Sequence, residues 1–285
     1  MRGAETQLVA LTILPDQAPP RAPRSRSIST RAIAALVAGG LVAAGGAAFV
    51  LTRGSDAPPV SASPVAAHHH PASAPRTAVE WRAAAVAAAN ARGAVHVDVV
   101  NRLKGRTSRF SDDDGPNTGI QRIAVDPGMR GEVRVIGDTT YFVANRAALA
   151  GYFGFPAAAV DRAAGHWMVL RAGDGGYAAV TEGVAFDSAM KEMAVSGPLV
   201  LLARRTMHGV RVVGIRGTVS GGTAGADPAA KATLWVSAAA PHLPVAFQAG
   251  SSKLGTMTVR FSRWGVRPKV VPPTIAVPIA QVLAG

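Results

Sequence analysis

Three consecutive histidines, His68, His69 and His70, form one of two unbroken runs of three metal-ligating side chains in the chain. They stand in a Pro-, Ser- and Ala-rich stretch with no carboxylate nearby, so a solvated tract is expected there rather than a metal centre. His96, His166, His208 and His242 show no recurring metal-ligand spacing and read as surface or structural residues. Asp112, Asp113 and Asp114, followed by Gly115 and Pro116, lack the alternating ligands and terminal Glu of an EF-hand loop. The turn chemistry of Asp, Gly, Pro and Asn makes a polar loop the expectation at that run. Arg204, Arg205, Arg211 and Arg216 are a basic set that can either meet an anionic headgroup or stand as solvated strand edges. Trp167, Trp235 and Trp264 can line a cavity or fill the core. No G-x-S-x-G elbow, P-loop, G-x-G-x-x-G or H-E-x-x-H occurs, so no catalytic residue, cofactor or metal is expected. With no cysteine, thiol nucleophiles, disulfides and lipid attachment at a thiol are excluded.

The elements that must position these residues are built from small apolar side chains. Aromatics make up only 5% of the 285 residues, so the core must rest on Ala, Val and Leu. Charged residues are sparse at 16%, while 31 Gly and 20 Pro favour short strands joined by turns over long charged helices. Net charge is +13, of which the segment through Thr52 contributes +3. The excess favours anionic neighbours such as lipid headgroups or cell-wall polymers. No nucleic-acid partner is expected.

From Ala32 to Thr52 the chain runs 21 residues without a charge, and about 20 helical residues cross the hydrocarbon core of a bilayer. Arg21, Arg24, Arg26 and Arg31 precede the run and only Arg53 follows closely, which places the N-terminus in the cytoplasm and the rest outside. A cleaved signal peptide is the competing reading, with small residues from Ala43 to Ala48 as its cleavage region. The expected organisation is a disordered cytoplasmic leader over 1–30, a transmembrane helix over 31–53, a Pro/Ser/Ala-rich linker over 54–76 and a folded domain over 77–285.

Thr77-Ala-Val-Glu80 matches a capping box and predicts a helix to about Arg92, stopped by Gly93, with Trp81 and Val86 as its bulkier contacts. The period then changes to two: Val95, Val97 and Val99 alternate with His96 and Asp98. Glu132 to Val135 repeats this pattern, and Gly137-Asp138 links it to Thr140 to Val143 as a two-residue hairpin. Further strands are expected over 166–170, 210–215, 232–237, 244–249 and 255–261, in an antiparallel sheet because the connections are too short for repeated helical crossovers. Between the strand groups, Asn145 caps a short helix, Pro156 starts another, and 185–193 is a third candidate. The fold class is α+β.

This order of elements resembles the LppX/LprG-type envelope lipoproteins of mycobacteria and other actinobacterial relatives, which share a LolA-like half-barrel. The residues that carry the resemblance are the helix running into Ala94-Val-His-Val97, the hairpin within Val133 to Val143, His208-Gly-Val-Arg-Val-Val-Gly-Ile-Arg-Gly217 and the closing Val259-Arg-Phe-Ser-Arg-Trp-Gly265. It covers roughly residues 77–279 through loose patterns of strands and turns. It implies a curved antiparallel sheet wrapped around short helices, with an apolar cavity for acyl chains, and a role in carrying lipids or lipoglycans. The relatives' lipidated cysteine is missing here, so a transmembrane helix would take its place.

The resulting expectation is a single-pass cell-membrane protein whose extracytoplasmic domain binds a lipid or other amphiphile without covalent chemistry, for presentation or short-range transfer. The cavity walls would be Leu149, Phe153, Phe155, Val160 and Trp167, with Arg204, Arg205, Arg211 and Arg216 near a headgroup. The alternative is an envelope-sensing or protein-interaction module whose leader relays a signal inward. The anchor is checked by immunoblotting the native product: a full-length species should stay with the membranes. A stable, released species shortened by about 45 residues would instead establish a cleaved signal peptide.

Overall fold

The structure is a computed structural model that describes residues 75–184, 186, 190, 195–219, 230–251 and 255–284. The expected leader, transmembrane helix, nearly all of the linker and most of the candidate helix 185–193 lie outside the described residues. The capping box at Thr77 starts α1 (Ala78–Arg92): Glu80 N donates to Thr77 Oγ1 at 3.2 Å, while Arg76 N and Thr77 N donate to Glu80 Oε2 at 2.7 and 3.1 Å. These two backbone donors, Arg76 first, hold the exposed Glu80 carboxyl below its ordinary value of 4.5. The cap is therefore complete above the ordinary carboxylate range and is lost as pH falls through the lowered one. Gly93 closes the helix in the left-handed region at φ 62. The helix buries Ala78, Trp81, Ala85 and Ala89, a thin stripe that lets it lie close to the sheet. Val86, expected at that contact, is instead 47% exposed, because it sits off the 78-81-85-89 stripe.

Among the described residues twelve strands follow in one open sheet: β1 (Val95–Leu103), β2 (Arg106–Asp114), β3 (Thr118–Val125), β4 (Met129–Ile136), β5 (Thr139–Ala144), β6 (Met168–Arg171), β7 (Val195–Met207), β8 (Val210–Val219), β9 (Lys231–Ser237), β10 (Pro244–Ser251), β11 (Gly255–Ser262) and β12 (Val277–Pro278). Their order is β12-β6-β5-β4-β3-β2-β1-β11-β10-β9-β8-β7, antiparallel throughout except for the parallel pair β6–β12. Two meanders, β1–β6 and β7–β11, are thus joined where β1 pairs with β11. The Gly137-Asp138 hairpin forms as its sequence predicts, with Gly137 at φ 57. The Asp112–Asp114 run is the correction to the expected polar loop: it ends β2, paired with β1 and β3.

Register sorts the side chains onto two faces. On the inner face, Val97 of β1 leads through Asp112, Gln121, Val133 and Phe142 to Met168, each opposite the next across the sheet. The neighbouring row, Val99, Phe110 and Ile123, continues on the other side through Val259 and Phe247 to Leu234 and Ile215. All of these apolar members belong to one buried cluster, which also takes in α1. Short helices cover the same face: α2 (Arg146–Gly151), α3 (Ala157–Ala163), α4 (Tyr177–Thr181), the 3-10 turn Glu182–Val184 and the terminal α5 (Ile279–Ala284). Asn145 Oδ1 accepts from Ala148 N at 3.0 Å to cap α2, and Pro156 stands at the start of α3.

A second, smaller cluster of Val212, Trp235, Val245 and Ala246 forms on the outer face. Trp235 is paired with Gly214, and a Cβ added there would lie 2.7 Å from the ring, so glycine is what lets the indole lie flat on the strand. Arg205 stacks over the ring, 3.4 Å from its centroid. Gly214→Ala should therefore lower stability by about 1–3 kcal/mol through displacement of the ring, and Trp235→Ala by about 3–5 kcal/mol through loss of its packing. Urea unfolding midpoints measure both; values unchanged from the parent protein would contradict this packing.

Candidate functional site

The interior between the sheet and its helical cover is where the aromatic residues collect. Phe142 on β5 meets Phe153 at 5.4 Å and Phe155 at 6.1 Å between ring centroids; Tyr152 contacts Phe153 at 5.0 Å and Phe110 at 6.4 Å. Leu149 from α2 and Val160 from α3 complete an apolar group in which every member is buried. Four of the five expected wall residues, Leu149, Phe153, Phe155 and Val160, are therefore brought together. Trp167 stands apart from them. It precedes the inward-facing Met168 and lies beneath the guanidinium of Arg134, 4.4 Å away, on the outer side. The three tryptophans expected to line a cavity or fill the core, Trp167, Trp235 and Trp264, occupy separate places, since Trp235 packs in the outer cluster and Trp264 lies against Phe261 with its Nε1 donating to Pro244 O at 3.0 Å.

A polar row crosses this apolar interior. Asp112 and Asp114 are only 6% and 2% exposed, each engaged by neighbours, and Gln121 and Thr140 are buried beside them. Buried polar groups are tolerated only when hydrogen-bonded, and two of these bonds hold the cover in place. Gln121 Nε2 donates to Gly183 O at 2.8 Å, and Thr140 Oγ1 lies 2.7 Å from Thr181 Oγ1. Gly119 makes room for the same turn: a Cβ there would sit 2.6 Å from Val184 O. The α4 and 3-10 segment is thus pinned to β3 and β5 by polar side chains, whereas α2 is tied at its cap, where Asn145 Nδ2 donates to Gly128 O at 2.7 Å, and α3 is tied to α5 by Arg162 Nη2 donating to Val282 O at 2.8 Å.

The four arginines proposed for a headgroup do not share one face. Arg205 lies opposite Val212 and covers Trp235, and its Nη2 is 3.1 Å from Met207 Sδ. Arg211 lies opposite Thr206 on the alternate parity, while Arg216 is opposite Val200, five residues further along β8. Arg204 falls in the irregularity between Leu202 and Arg205. Other arginines do converge, around an open trough of about 470 Å³. There Arg109, Ala124 and Arg130 follow one another across β2, β3 and β4, with Arg122 and Glu132 in the next row. The small Ala124 leaves the gap. Arg122 lies 3.7 Å and Arg134 2.8 Å from Glu132, and Arg109 lies 3.7 Å from Asp126, so the trough is an exposed ion-pair network. Sequence spacing could not show it, because the residues meet only through strand register.

The histidines are dispersed. His96 Nδ1 lies 2.8 Å from Asp113 and its Nε2 3.4 Å from Asp98, so both ring nitrogens face carboxylates; Arg263 Nη2 reaches the same Asp113 at 2.5 Å. His242 stacks edge-on with Trp81 at 4.6 Å. Among the described residues no three His, Asp or Glu side chains are grouped to hold a metal ion, and no helix is long and apolar enough to cross a membrane.

No family model matches the chain, and no curated protein does. Among solved structures, the chain is similar to the lipoprotein LppX of Mycobacterium tuberculosis, at 17% identity over 68% of this chain and 98% of that one, with a TM-score of 0.44. It is similar to LprF from Mycobacterium bovis at 17% identity over 70% and 99%, with a TM-score of 0.43. An uncharacterized conserved protein from Thermus thermophilus matches at 11% identity over 70% and 97%, with a TM-score of 0.37. Identities this low concern fold alone. What the fold and the site define is an open, antiparallel-rich sheet with an apolar inner face closed by short helices, one of which is fastened by buried polar side chains.

Gln121→Leu should release the fastened segment. Losing the bond to Gly183 costs about 1–3 kcal/mol, and amide hydrogen exchange over 177–184 should accelerate more than over β1–β5. Equal protection in both regions would show that Gln121 does not hold the cover.

Proposed function

We propose that this chain is a membrane-anchored, extracytoplasmic binding protein for a lipid or other amphiphilic ligand, acting in envelope presentation or short-range transfer without covalent chemistry. The observation that carries the reading is the aromatic group of Phe110, Phe142, Tyr152, Phe153 and Phe155 lying between a broad sheet and a cover of short helices. Helices of six and seven residues, such as α2 and α3, are too short to persist by themselves and hold their shape through packing. A cover of that kind can part from the sheet at modest cost and give an acyl chain the apolar contacts that Phe153, Phe155 and Val160 otherwise give to Phe142 and its neighbours.

The membrane side of the proposal rests on the 21-residue uncharged run from Ala32 to Thr52 and on the arginines before it. The expected partners are the cytoplasmic membrane and an anionic lipid or lipoglycan, to which the net charge of +13 is complementary.

Native mass spectrometry and lipid extraction of the full chain, purified from its own membranes, test the reading. An acyl-bearing species should co-purify in stoichiometric amount and be recovered again when the delipidated protein is incubated with the extract. Delipidated protein that takes up no lipid would overturn the proposal.

A further inference from the structure

After β11 the chain turns at 263–265, where Arg263 and Gly265 have φ 50 and 80, and then crosses the rim of the sheet as a ribbon without helix or strand to residue 276 before returning as β12 beside β6. Besides the contacts of Arg263 and Trp264 described above, four attachments fix its course. Gly265 N donates to Ala94 O at 2.8 Å, Pro268 packs where a Cβ on Gly115 would meet its Cδ at 3.0 Å, Arg134 Nη1 donates to Val271 O at 2.8 Å, and Val277 N donates to Trp167 O at 2.8 Å. Pro268, Pro272 and Pro273 restrict the backbone between these points. The ribbon is therefore a pinned structure, not a loose tail.

Its side chains are unusual for such a segment. Val266, Val271 and Ile275 are 59%, 69% and 79% exposed, the three highest values among the described large hydrophobic residues. Single exposed hydrophobics are ordinary, but three on one rigid ribbon are not scattered. Arg267 and Lys269 stand exposed between them, and no Asp or Glu side chain occurs anywhere from Pro228 to the C-terminus. Apolar side chains interleaved with cations, in a segment that contributes no carboxylate of its own and whose first residue Arg263 already pairs with Asp113, suit a surface that is apolar beneath and negatively charged on top. Because the backbone is already fixed, seating these residues costs little ordering entropy.

We propose that this ribbon docks the domain onto an anionic lipid bilayer, with Val266, Val271 and Ile275 entering the headgroup boundary and Arg267 and Lys269 meeting lipid phosphates. The inference rests on the membrane-anchored reading above and extends it, since it fixes which rim of the domain faces the bilayer.

The absence of cysteine allows a clean test with single labels. Full-length Val271→Cys, Ile275→Cys and Leu103→Cys variants, each carrying an environment-sensitive fluorophore, are reconstituted into phosphatidylcholine vesicles with and without phosphatidylglycerol. Leu103 serves as the control because it ends β1, eight residues and about 26 Å from the rim where the ribbon begins. Labels at 271 and 275 should shift to the blue and be quenched by lipid-borne doxyl groups in the anionic vesicles, while the label at 103 stays aqueous. Adding Arg267→Glu and Lys269→Glu should abolish the quenching. Vesicle flotation separates the two ideas. Protein that floats but keeps aqueous labels at 271 and 275 overturns the ribbon alone, and protein that does not float overturns the anchor and the ribbon together. Equal quenching in purely zwitterionic vesicles overturns the role given to Arg267 and Lys269.

Discussion

The pairing of β1 with β11 is the constraint on which the rest of the structure depends. Val97 lies opposite Phe261 and Val99 opposite Val259, so the first strand of the domain is zipped to the last long one across more than 150 residues. Loop closure over such a separation is entropically costly, and the apolar side chains on both strands are what offset it. Without this seam the two meanders would each expose a row of unpaired backbone groups, and the inner face would be split in two. With it, Ala78, Trp81 and Ala85 of α1 join one continuous cluster, and the apolar rows of β1–β6 continue into those of β8–β11.

Much of this was legible because local chemistry and the fold agree. The capping box at Thr77, the Gly137-Asp138 turn and the alternation of Met257, Val259 and Phe261 each specify an element without reference to anything distant. The strands that sequence periodicity does not reveal are instructive. In β2 the inward row is Phe110, Asp112 and Asp114, and in β3 it includes Gly119 and Gln121, so apolar alternation is broken by buried polar groups, of which Gln121 fastens the cover. β7 hides for another reason. It is an edge strand, mostly exposed, with two irregularities that interrupt the period of two.

The candidate site shows the same division. Leu149, Phe153, Phe155 and Val160 come together because Leu149 and Val160 lie on neighbouring short helices and the two phenylalanines on the short connection between them, over one patch of sheet, which spacing along the chain anticipates. Trp167 and the basic set around β7 and β8 do not, because parity and strand irregularity decide which face a residue takes. Arg109, Arg122 and Arg130 gather from three strands through register, and nothing in the one-dimensional pattern announces them.

The outer cluster beneath Arg205 gives the two halves of the sheet different mechanical characters. Around Trp235, strands β8 to β10 are packed on both faces, so bending them means breaking tightly fitted contacts on either side. Strands β2 to β4 are packed by apolar side chains only on the inside, and their outer surface carries the open trough with its exposed ion pairs. The stiff half is a fixed jaw and the other half a compliant one, with the short helices riding on the compliant side. Any widening of the interior is thereby steered toward α2 and α3, and the C-terminal meander serves as the reference frame against which they move.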